Sequence, residues 1–331
     1  MSKESFSQFI RNRTRGVLFG RTRLGDFLNA MYGFRILLKY SFSQNNLRSK
    51  SNYRAFLTKQ YHILEKGLSL PNPRQNFGKE KIEILLNITK EYIEKYESDK
   101  LSQLIKNCLL EYKNSNSNLS NVYPSLATSI DEFTLNHEFE NIGGTKIINK
   151  AKIQNAIGIN FLEFVQTRTS VRNFSPMQIN YDDIKAAVDI ARHAPSVCNR
   201  QAWNLHYYED EITMKKLLFL QAGNSGFTNS IKGLFVVTSD TKQFTRLEGN
   251  QVFTDGGLFS MNLILALHSR GLGSCCLNTC VPYTTEKRIK KIANITESER
   301  LIMMIGVGYL KEEFKTAYSE KKPISEILHR H

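Results

Sequence analysis

"HAPSVCNRQAW", residues 193–203, lies between an amphipathic segment and an aromatic-rich segment that has the composition of a β-strand. It concentrates residues that favour turns or form hydrogen bonds, namely Pro195, Ser196, Asn199 and Gln201. Taken alone, a Pro-Ser-x-x-Asn stretch is an ordinary helix-terminating turn. Its interpretation therefore depends on the segments on either side of it.

The preceding segment, "YDDIKAAVDIARHA" at 181–194, has the pattern of an amphipathic helix. Asn180 is a plausible N-cap, and acidic residues in the first turn suit the helix dipole. Its apolar face is formed by Ile184, Ala187, Val188 and Ala191. We expect Pro195 to end this helix.

The rest of the second half alternates helix and strand patterns. "WNLHYYE", "GLFVVTS", "GSCCLNT" and "RLIMMIGVGY" have strand character. Between the second and third of these lies "GGLFSMNLILALHSRG", a long apolar helix that we expect to end near Gly271 or Gly273, with Asp255 as a cap at its start. The sequence predicts an α+β fold with mixed α/β layers.

The first half is predicted to be mostly helical. "GKEKIEILLNITKEYIEKYES" at 78–98 has helical apolar spacing, whereas the polar "NSNSNLSNVYPS" at 114–125 is interpreted as a loop. We place a domain boundary near residue 150. This gives a helical, basic extension over 1–150 and an α+β domain over 151–331.

The chain of 331 residues carries a formal net charge of +14. It has no apolar run of membrane-spanning length and no recognisable secretory signal, so a cytoplasmic location is expected. Its five cysteines have no CxxC spacing, which favours free thiols and predicts no metal site.

The positive charge is concentrated at the start of the chain. Residues 1–60 contain twelve Lys and Arg residues against two acidic residues, a net charge of +10. This segment could attach the protein peripherally to an anionic membrane surface or an acidic polymer, while nucleic acid is a less favoured partner. A solvated helical face is the alternative interpretation.

The stretch "TRTSVRNFS", residues 167–175, alternates Arg168, Ser170 and Arg172. In an extended segment these three side chains project from one face, where two guanidinium groups and a hydroxyl could hold a phosphate. An exposed basic strand would give the same pattern, so this stretch alone decides nothing.

The ordered set of motifs resembles the nitroreductase-like FMN-dependent oxidoreductases. "RTSVRNFSPMQI", then a helix, then "HAPSVCNRQAW" and an aromatic-rich strand follow that family's order, as do "DGGLFSMNLILALHSRGLGSCCLN", "IMMIGVGY" and "EKKPISEIL". The resemblance covers about residues 160–329. It implies a central, mainly antiparallel sheet flanked by helices, here preceded by a mostly helical extension.

The resemblance also implies the cofactor site. A first group of residues would bind the phosphate and ribityl chain of FMN. A second group, in the turn, would hydrogen-bond the flavin and begin a supporting strand, and a third group, on a later strand, would lie along the isoalloxazine ring. The residues concerned are Arg168, Thr169, Ser170 and Arg172, then Pro195, Ser196, Asn199 and Gln201, then Cys276, Leu277 and Asn278, with Lys321 closing on the phosphate. No protein acid or base is required, because the flavin carries the chemistry.

The implied activity is ping-pong transfer of hydride from NADH or NADPH through FMN to a small organic acceptor. Members are typically homodimers, with the long central helix at the interface and each FMN between two subunits. The alternatives are an FMN-dependent dehydrogenase, oxidase or specialised biosynthetic enzyme that does not use NAD(P)H, and a flavin-fold binding protein attached to a membrane or polymer.

One N-terminal segment has a weaker resemblance. "YHILEKGLSLPNPRQNFG" at 61–78 is similar to a segment of N-terminally extended relatives of this family. It is interpreted either as a solvated helix end or as a cover over the open face of the flavin.

Overall fold

A computed structural model describes residues 22–70, 73–135, 142–145, 159–221, 223–314, 316 and 321–331. Its C-terminal half is built on a four-stranded sheet of order β1-β2-β4-β3, in which every neighbouring pair is antiparallel. The strands are β1 (Trp203–Tyr208), β2 (Gly233–Asp240), β3 (Leu272–Asn278) and β4 (Glu299–Tyr309). All four strands fall on the predicted segments, and their antiparallel pairing confirms the expected mainly antiparallel sheet.

Strand β2 shows why the sheet is covered on both faces. Its successive side chains point to opposite faces. Phe235 and Val237 belong to one apolar cluster, and Leu234 and Val236 belong to another, all of them fully buried. The sheet must therefore be buried on both sides.

Two pairs of helices supply that cover. On the Phe235 side lie α8 (Tyr181–Ala191) and α10 (Gln251–Ser269), and on the other side lie α9 (Glu211–Gln221) and α11 (Tyr283–Ala293). The predicted Asn180 cap is confirmed, because its side chain accepts a hydrogen bond from the backbone N–H of Asp182. Helix α10 ends two residues before Gly271, as expected.

The N-terminal half forms a helical layer with its own core. Its helices are α1 (Arg23–Tyr40), α2 (Lys50–Leu68), α3 (Lys79–Tyr96), α4 (Lys100–Ser115), α5 (Leu119–Val122) and α6 (Pro124–Thr134), followed later in the chain by α7 (Phe161–Thr167). The loop predicted over 114–125 is only partly correct, because α5 lies inside it. Leu119 is buried in the helical core and Pro124 begins α6 at a position where proline is tolerated, so apolar packing outweighs the polar composition.

The segment at 61–78 is packed into this helical layer. A Cβ atom on Gly67 would lie 2.2 Å from Cε2 of Phe77, so the chain closes tightly there. The Phe77 ring packs edge-on against Tyr112, whose hydroxyl donates to the Phe77 carbonyl oxygen at 2.8 Å. The interpretation of this segment as a solvated helix end is correct in part: α2 ends at Leu68 and is followed by the exposed Ser69 and Leu70, whereas Gly67 and Phe77 pack against each other.

The two halves are joined by hydrogen bonds. The backbone N–H of Phe42 donates to the carbonyl oxygen of Phe244 at 3.0 Å, and the Asn52 amide donates to the carbonyl oxygen of Lys242. The predicted boundary near residue 150 falls within 146–158, outside the described residues. Within the described ranges, no helix is both long and apolar enough to cross a membrane.

Candidate functional site

The Arg-Ser-Arg segment lies along the edge strand β3. Ser170 forms an isolated parallel bridge with Ser274, and the Val171 N–H donates to the Ser274 carbonyl oxygen at 2.9 Å. Val171 is buried in the core beneath the sheet, while Arg172 is exposed. Burial of Val171 beside the exposed Arg172 agrees with the alternation expected of an extended segment at these two positions.

The C-terminal tail runs beside the same segment. The hydroxyls of Thr169 and Thr316 form a hydrogen bond, and Phe314 lines a small cavity together with Arg168. Lys321 lies on the exposed tail beyond this contact. The tail therefore approaches the segment that contains Arg168 and Thr169, where Lys321 is predicted to contact the FMN phosphate.

The predicted isoalloxazine residues lie further along β3. Cys276 is exposed, whereas the Leu277 side chain is buried in the core and offers only its backbone to a ligand. The Asn278 side chain accepts a hydrogen bond from the Cys280 N–H at 3.1 Å. Since a strand rises about 3.3 Å per residue, Cys276 and Asn278 lie roughly 7 and 13 Å along the strand from the Ser170 bridge.

The 193–203 segment adopts an unusual backbone. Cys198, Asn199 and Gln201 have φ angles of +50°, +52° and +51°, in the left-handed region that residues other than glycine rarely occupy. Such conformations persist where the surroundings determine them, and they concentrate at binding sites. The turn is therefore more constrained than a simple helix-terminating turn.

Two contacts near the start of the turn stabilise this backbone. The Ser196 hydroxyl accepts the Gln201 N–H at 3.0 Å. The Val197 N–H donates to Asp255 at 3.1 Å, and Asp255 is fully buried. The expectation that Asp255 caps the long helix is wrong, because α10 begins at Gln251 and places Asp255 one turn inside, facing the turn.

A third contact involves residues that the sequence did not identify. The Arg200 side chain is 0% exposed, and its Nη1 donates to Oε2 of Glu248 at 2.9 Å. Burial would raise the pKa of Glu248, but hydrogen bonds from Arg200 and from the Thr245 N–H outweigh it and lower that pKa. Lys59 of α2 lies 3.9 Å from the same carboxylate, so the helical extension reaches this turn.

The two groups of predicted residues lie at different places in one chain. Arg168–Arg172 flank β3, which is one edge of the sheet, while the turn leads directly into β1, which is the other edge. Three strand spacings of about 4.8 Å separate these edges by about 14 Å. A single chain therefore has the predicted phosphate-binding and ring-contacting residues beside β3, while the turn with Ser196 and Asn199 leads into the opposite edge strand.

Comparison with known proteins gives a family for the C-terminal half. The sequence model of the Nitroreductase family matches residues 165–223 and 223–309. A protein of Archaeoglobus fulgidus named as an NADH dehydrogenase/NAD(P)H nitroreductase is 26% identical over 169 residues, which are 51% of this chain and 96% of that protein. One of Streptococcus pyogenes named as an NAD(P)H nitroreductase is 21% identical over 203 residues, covering 51% of this chain and 98% of that protein.

Solved structures are similar over the same half. One from Parabacteroides distasonis, named as an NADH dehydrogenase/NAD(P)H nitroreductase, is 23% identical with a TM-score of 0.46 and covers 52% of this chain and 99% of its own. An FMN-dependent nitroreductase from Clostridium difficile is 19% identical with a TM-score of 0.45, covering 51% and 98%. Residues 165–309 of this chain are therefore similar to the nitroreductase family, and a helical region precedes them.

Proposed function

We propose that this protein is an FMN-dependent oxidoreductase of the nitroreductase family that moves electrons from NAD(P)H to a small organic acceptor. The observation that carries the proposal is the placement of Arg168, Ser170 and Arg172 on the same strand edge as Cys276 and Asn278. One end of that edge is basic and hydroxyl-bearing, and the other presents an exposed strand terminus. A phosphorylated cofactor with a flat ring fits this distribution.

The chemistry of the donor set fits the phosphate end of FMN. Guanidinium groups form charge-assisted, bidentate hydrogen bonds with phosphate oxygens, and the Thr169 and Ser170 hydroxyls lie beside them in sequence. The Ser170 backbone is fixed by its bridge to Ser274, so these side chains start from a rigid strand rather than from a mobile loop. Lys321 would add a point charge from the tail.

When bound, FMN supplies two-electron chemistry between a nicotinamide and a second substrate. The protein residues bind and orient it. Ser196 and Asn199 would hydrogen-bond the ring from the constrained turn, and Pro195 and Gln201 would set the course of that turn. The Cys276–Asn278 backbone would line the ring from β3.

We further propose that two copies of the chain form each site. Leu258 and Met261 on α10 are 43% and 45% exposed, and exposed apolar side chains of this size on one helix are often covered by another protein. A homodimer through these side chains could bring the turn of one copy to the β3 edge of the other. This would unite the two groups that one chain keeps about 14 Å apart.

Coexpression of two inactive variants tests the shared site. Arg168→Ala with Arg172→Ala should abolish FMN binding through the phosphate end, and Asn199→Ala with Ser196→Ala should weaken it through the ring. A mixed dimer contains one site that carries no substitution, so FMN binding should return in the mixture. If FMN instead binds within one chain, the mixture will bind no better than its two components.

Spectroscopy of the purified protein tests the enzymatic proposal. The protein should bind FMN stoichiometrically, and NADH or NADPH should bleach the flavin absorbance under anaerobic conditions. Failure to bind FMN would refute the proposal. FMN binding without bleaching by either nucleotide would favour the dehydrogenase, oxidase or biosynthetic alternative.

We propose a second role in addition to the enzymatic one, which is attachment to an anionic membrane surface through the exposed face of α1. Five large apolar side chains recur at intervals of three and four residues on its outward face and are 39–60% exposed: Leu24, Phe27, Met31, Phe34 and Leu38. Arg23, Arg35 and Lys39 flank that face. An apolar stripe beside basic residues is the pattern of interfacial helices.

Vesicle binding tests this attachment. Vesicles containing phosphatidylserine should retain the protein at low salt, and Phe27→Glu with Met31→Glu should abolish retention. The control is Met177→Glu, because Met177 is equally exposed outside the extension. Equal retention of all three proteins, or equal binding to uncharged phosphatidylcholine vesicles, would exclude the proposed mode.

A further inference from the structure

A cavity of about 330 Å³ lies between the helical extension and the nitroreductase-like domain. Its walls come from α1, from the first turn of α10 and from the start of β4. The residues that matter for its chemistry are Gly33, Phe34, Thr241, Asn250, Phe253 and Arg300. Its volume is within the range of small-molecule sites, and none of the predicted flavin-binding residues lines it.

Arg300 places an incompletely bonded guanidinium at this cavity. Its side chain is 19% exposed, and its Nε is buried without a hydrogen-bond partner. The carboxylate of Glu286 is 3.8 Å away, beyond hydrogen-bond distance. A guanidinium has five N–H donors in a planar fork that matches a planar anion, and Arg300 lines the cavity with its buried Nε donor unmet.

The packing around Arg300 holds the guanidinium in place. It lies 5.5 Å from the centre of the Phe253 ring and 5.9 Å from that of Tyr32. On its α1 side, a Cβ atom on Gly33 would lie 3.0 Å from Nη1. The absence of a side chain at Gly33 therefore leaves room for the guanidinium against the helix.

A second, independent feature also indicates a polar ligand. Thr241 is 2% exposed, lines the cavity, and its hydroxyl has no hydrogen-bond partner among the described residues. A buried hydroxyl without a partner is costly unless a ligand or water completes its bonding. Asn250 marks the N-terminus of the 19-residue helix α10, where the helix dipole favours negative charge.

We propose that this cavity binds a small organic anion, with its carboxylate or phosphate group at Arg300 and Thr241 and its apolar body against Phe34 and Phe253. Carboxylates and phosphate esters share the chemistry that these donors recognise. None of the predicted flavin-binding residues lines this cavity, and the proposal does not depend on the activity proposed above.

Calorimetric titration of the full-length, FMN-loaded protein at low salt tests the proposal. The probes are benzoate and phenyl phosphate, with benzamide as a neutral probe of similar shape. At least one anion should bind saturably, and at least about tenfold more tightly than benzamide; the tighter anion identifies the carboxylate or the phosphate class.

Three variants locate the binding. Arg300→Gln removes the charge, Gly33→Ala displaces the guanidinium, and Thr241→Val removes the hydroxyl at nearly constant volume. Each should weaken anion binding, the first two by at least about tenfold. Arg192→Gln is the matched control, because it removes a surface guanidinium that pairs with Asp189 on α8 and should leave binding unchanged.

The binding of the anions to these variants decides whether the proposal stands. Should Arg300→Gln fail to fold, Gly33→Ala and Thr241→Val decide the question, since alanine is a good helix former and valine is close in size to threonine. Absence of saturable binding by both anions, or binding that Arg300→Gln and Gly33→Ala leave at the wild-type level, would overturn the proposal. Equal affinity for benzamide would overturn it as well.

Discussion

Replacement of Glu248 by glutamine tests the idea that an ion pair with the buried Arg200 fixes the turn that we propose to bind the flavin. Glu248 accepts hydrogen bonds from Arg200 at 2.9 Å and from the Thr245 N–H at 2.8 Å. Both bonds end on Oε2, so the amide oxygen of glutamine can still accept them, but it carries no charge. The fully buried Arg200 then loses its counter-charge.

The magnitude follows from those contacts. Breaking a fully buried ion pair costs about 3–5 kcal/mol. Glu248 is only partly buried, and Arg200 keeps its hydrogen bond to the Val197 carbonyl oxygen and its packing on Phe244. A hydrogen bond to a charged group contributes about 1.5–3 kcal/mol and a neutral one about 0.5–1.5 kcal/mol, so we expect Glu248→Gln to lower the free energy of unfolding by about 1–2 kcal/mol.

The same change should weaken FMN binding. The three left-handed residues of the turn are each disfavoured by about 1–2 kcal/mol, so a loosened anchor lets them relax. We expect the Kd for FMN to rise at least about tenfold, equal to about 1.4 kcal/mol. Urea unfolding of the apoprotein and fluorescence titration with FMN measure the two effects.

A matched control removes an exposed carboxylate. Glu211 pairs with Lys215 on the surface of α9, where ion pairs contribute little, so Glu211→Gln should leave the free energy of unfolding nearly unchanged. The reasoning is refuted if Glu248→Gln unfolds like Glu211→Gln, or if it loses stability while binding FMN at the wild-type affinity.

Two further predictions concern pH and packing. Burial would raise the pKa of Glu299, but hydrogen bonds from His206 and Thr238 outweigh it and lower that pKa from 4.5 to about 2. Because the folded-state pKa is depressed, the stabilisation by Glu299 is present above pH 4.5 and is lost as the pH falls toward 2. In urea unfolding measured across that pH range, the wild type should therefore lose more stability than Glu299→Gln. Gly67→Ala should lower the free energy of unfolding by about 1–3 kcal/mol, because the new Cβ would overlap the Phe77 ring. The control is Gly257→Ala, whose Cβ would have no atom of those surveyed within 4 Å and which should be neutral or stabilising. Similar losses of stability for both variants in thermal unfolding would contradict this prediction.

Local patterns were sufficient to predict the sheet and its helices. Strand β2 is a continuous apolar run that is buried on both faces, and α8 has helical apolar spacing. Both patterns are imposed by the same burial that creates the fold, so strand and helix segments could be placed from the sequence. The loop predicted over 114–125 failed because Leu119 is buried by a distant part of the chain, which local composition does not record.

The contacts that fix the site could not be predicted in the same way. Arg200 and Glu248 are 48 residues apart, and neither has a local signature that distinguishes a buried ion pair from two surface charges. Asp255 was misinterpreted as a cap for the same reason, because its partner is the Val197 N–H on another element. The sequence carried only a weak signal for these contacts: a polar turn rich in hydrogen-bonding residues needs hydrogen-bond partners elsewhere in the chain.

A crystal structure of the protein with FMN tests the central claim most directly. The account predicts the FMN phosphate within hydrogen-bond distance of Arg168 and Ser170 of one protomer, with the ring beside Asn199 of its partner. FMN bound away from the β3 edge, or a protein that crystallises without FMN after saturation with it, would contradict the account.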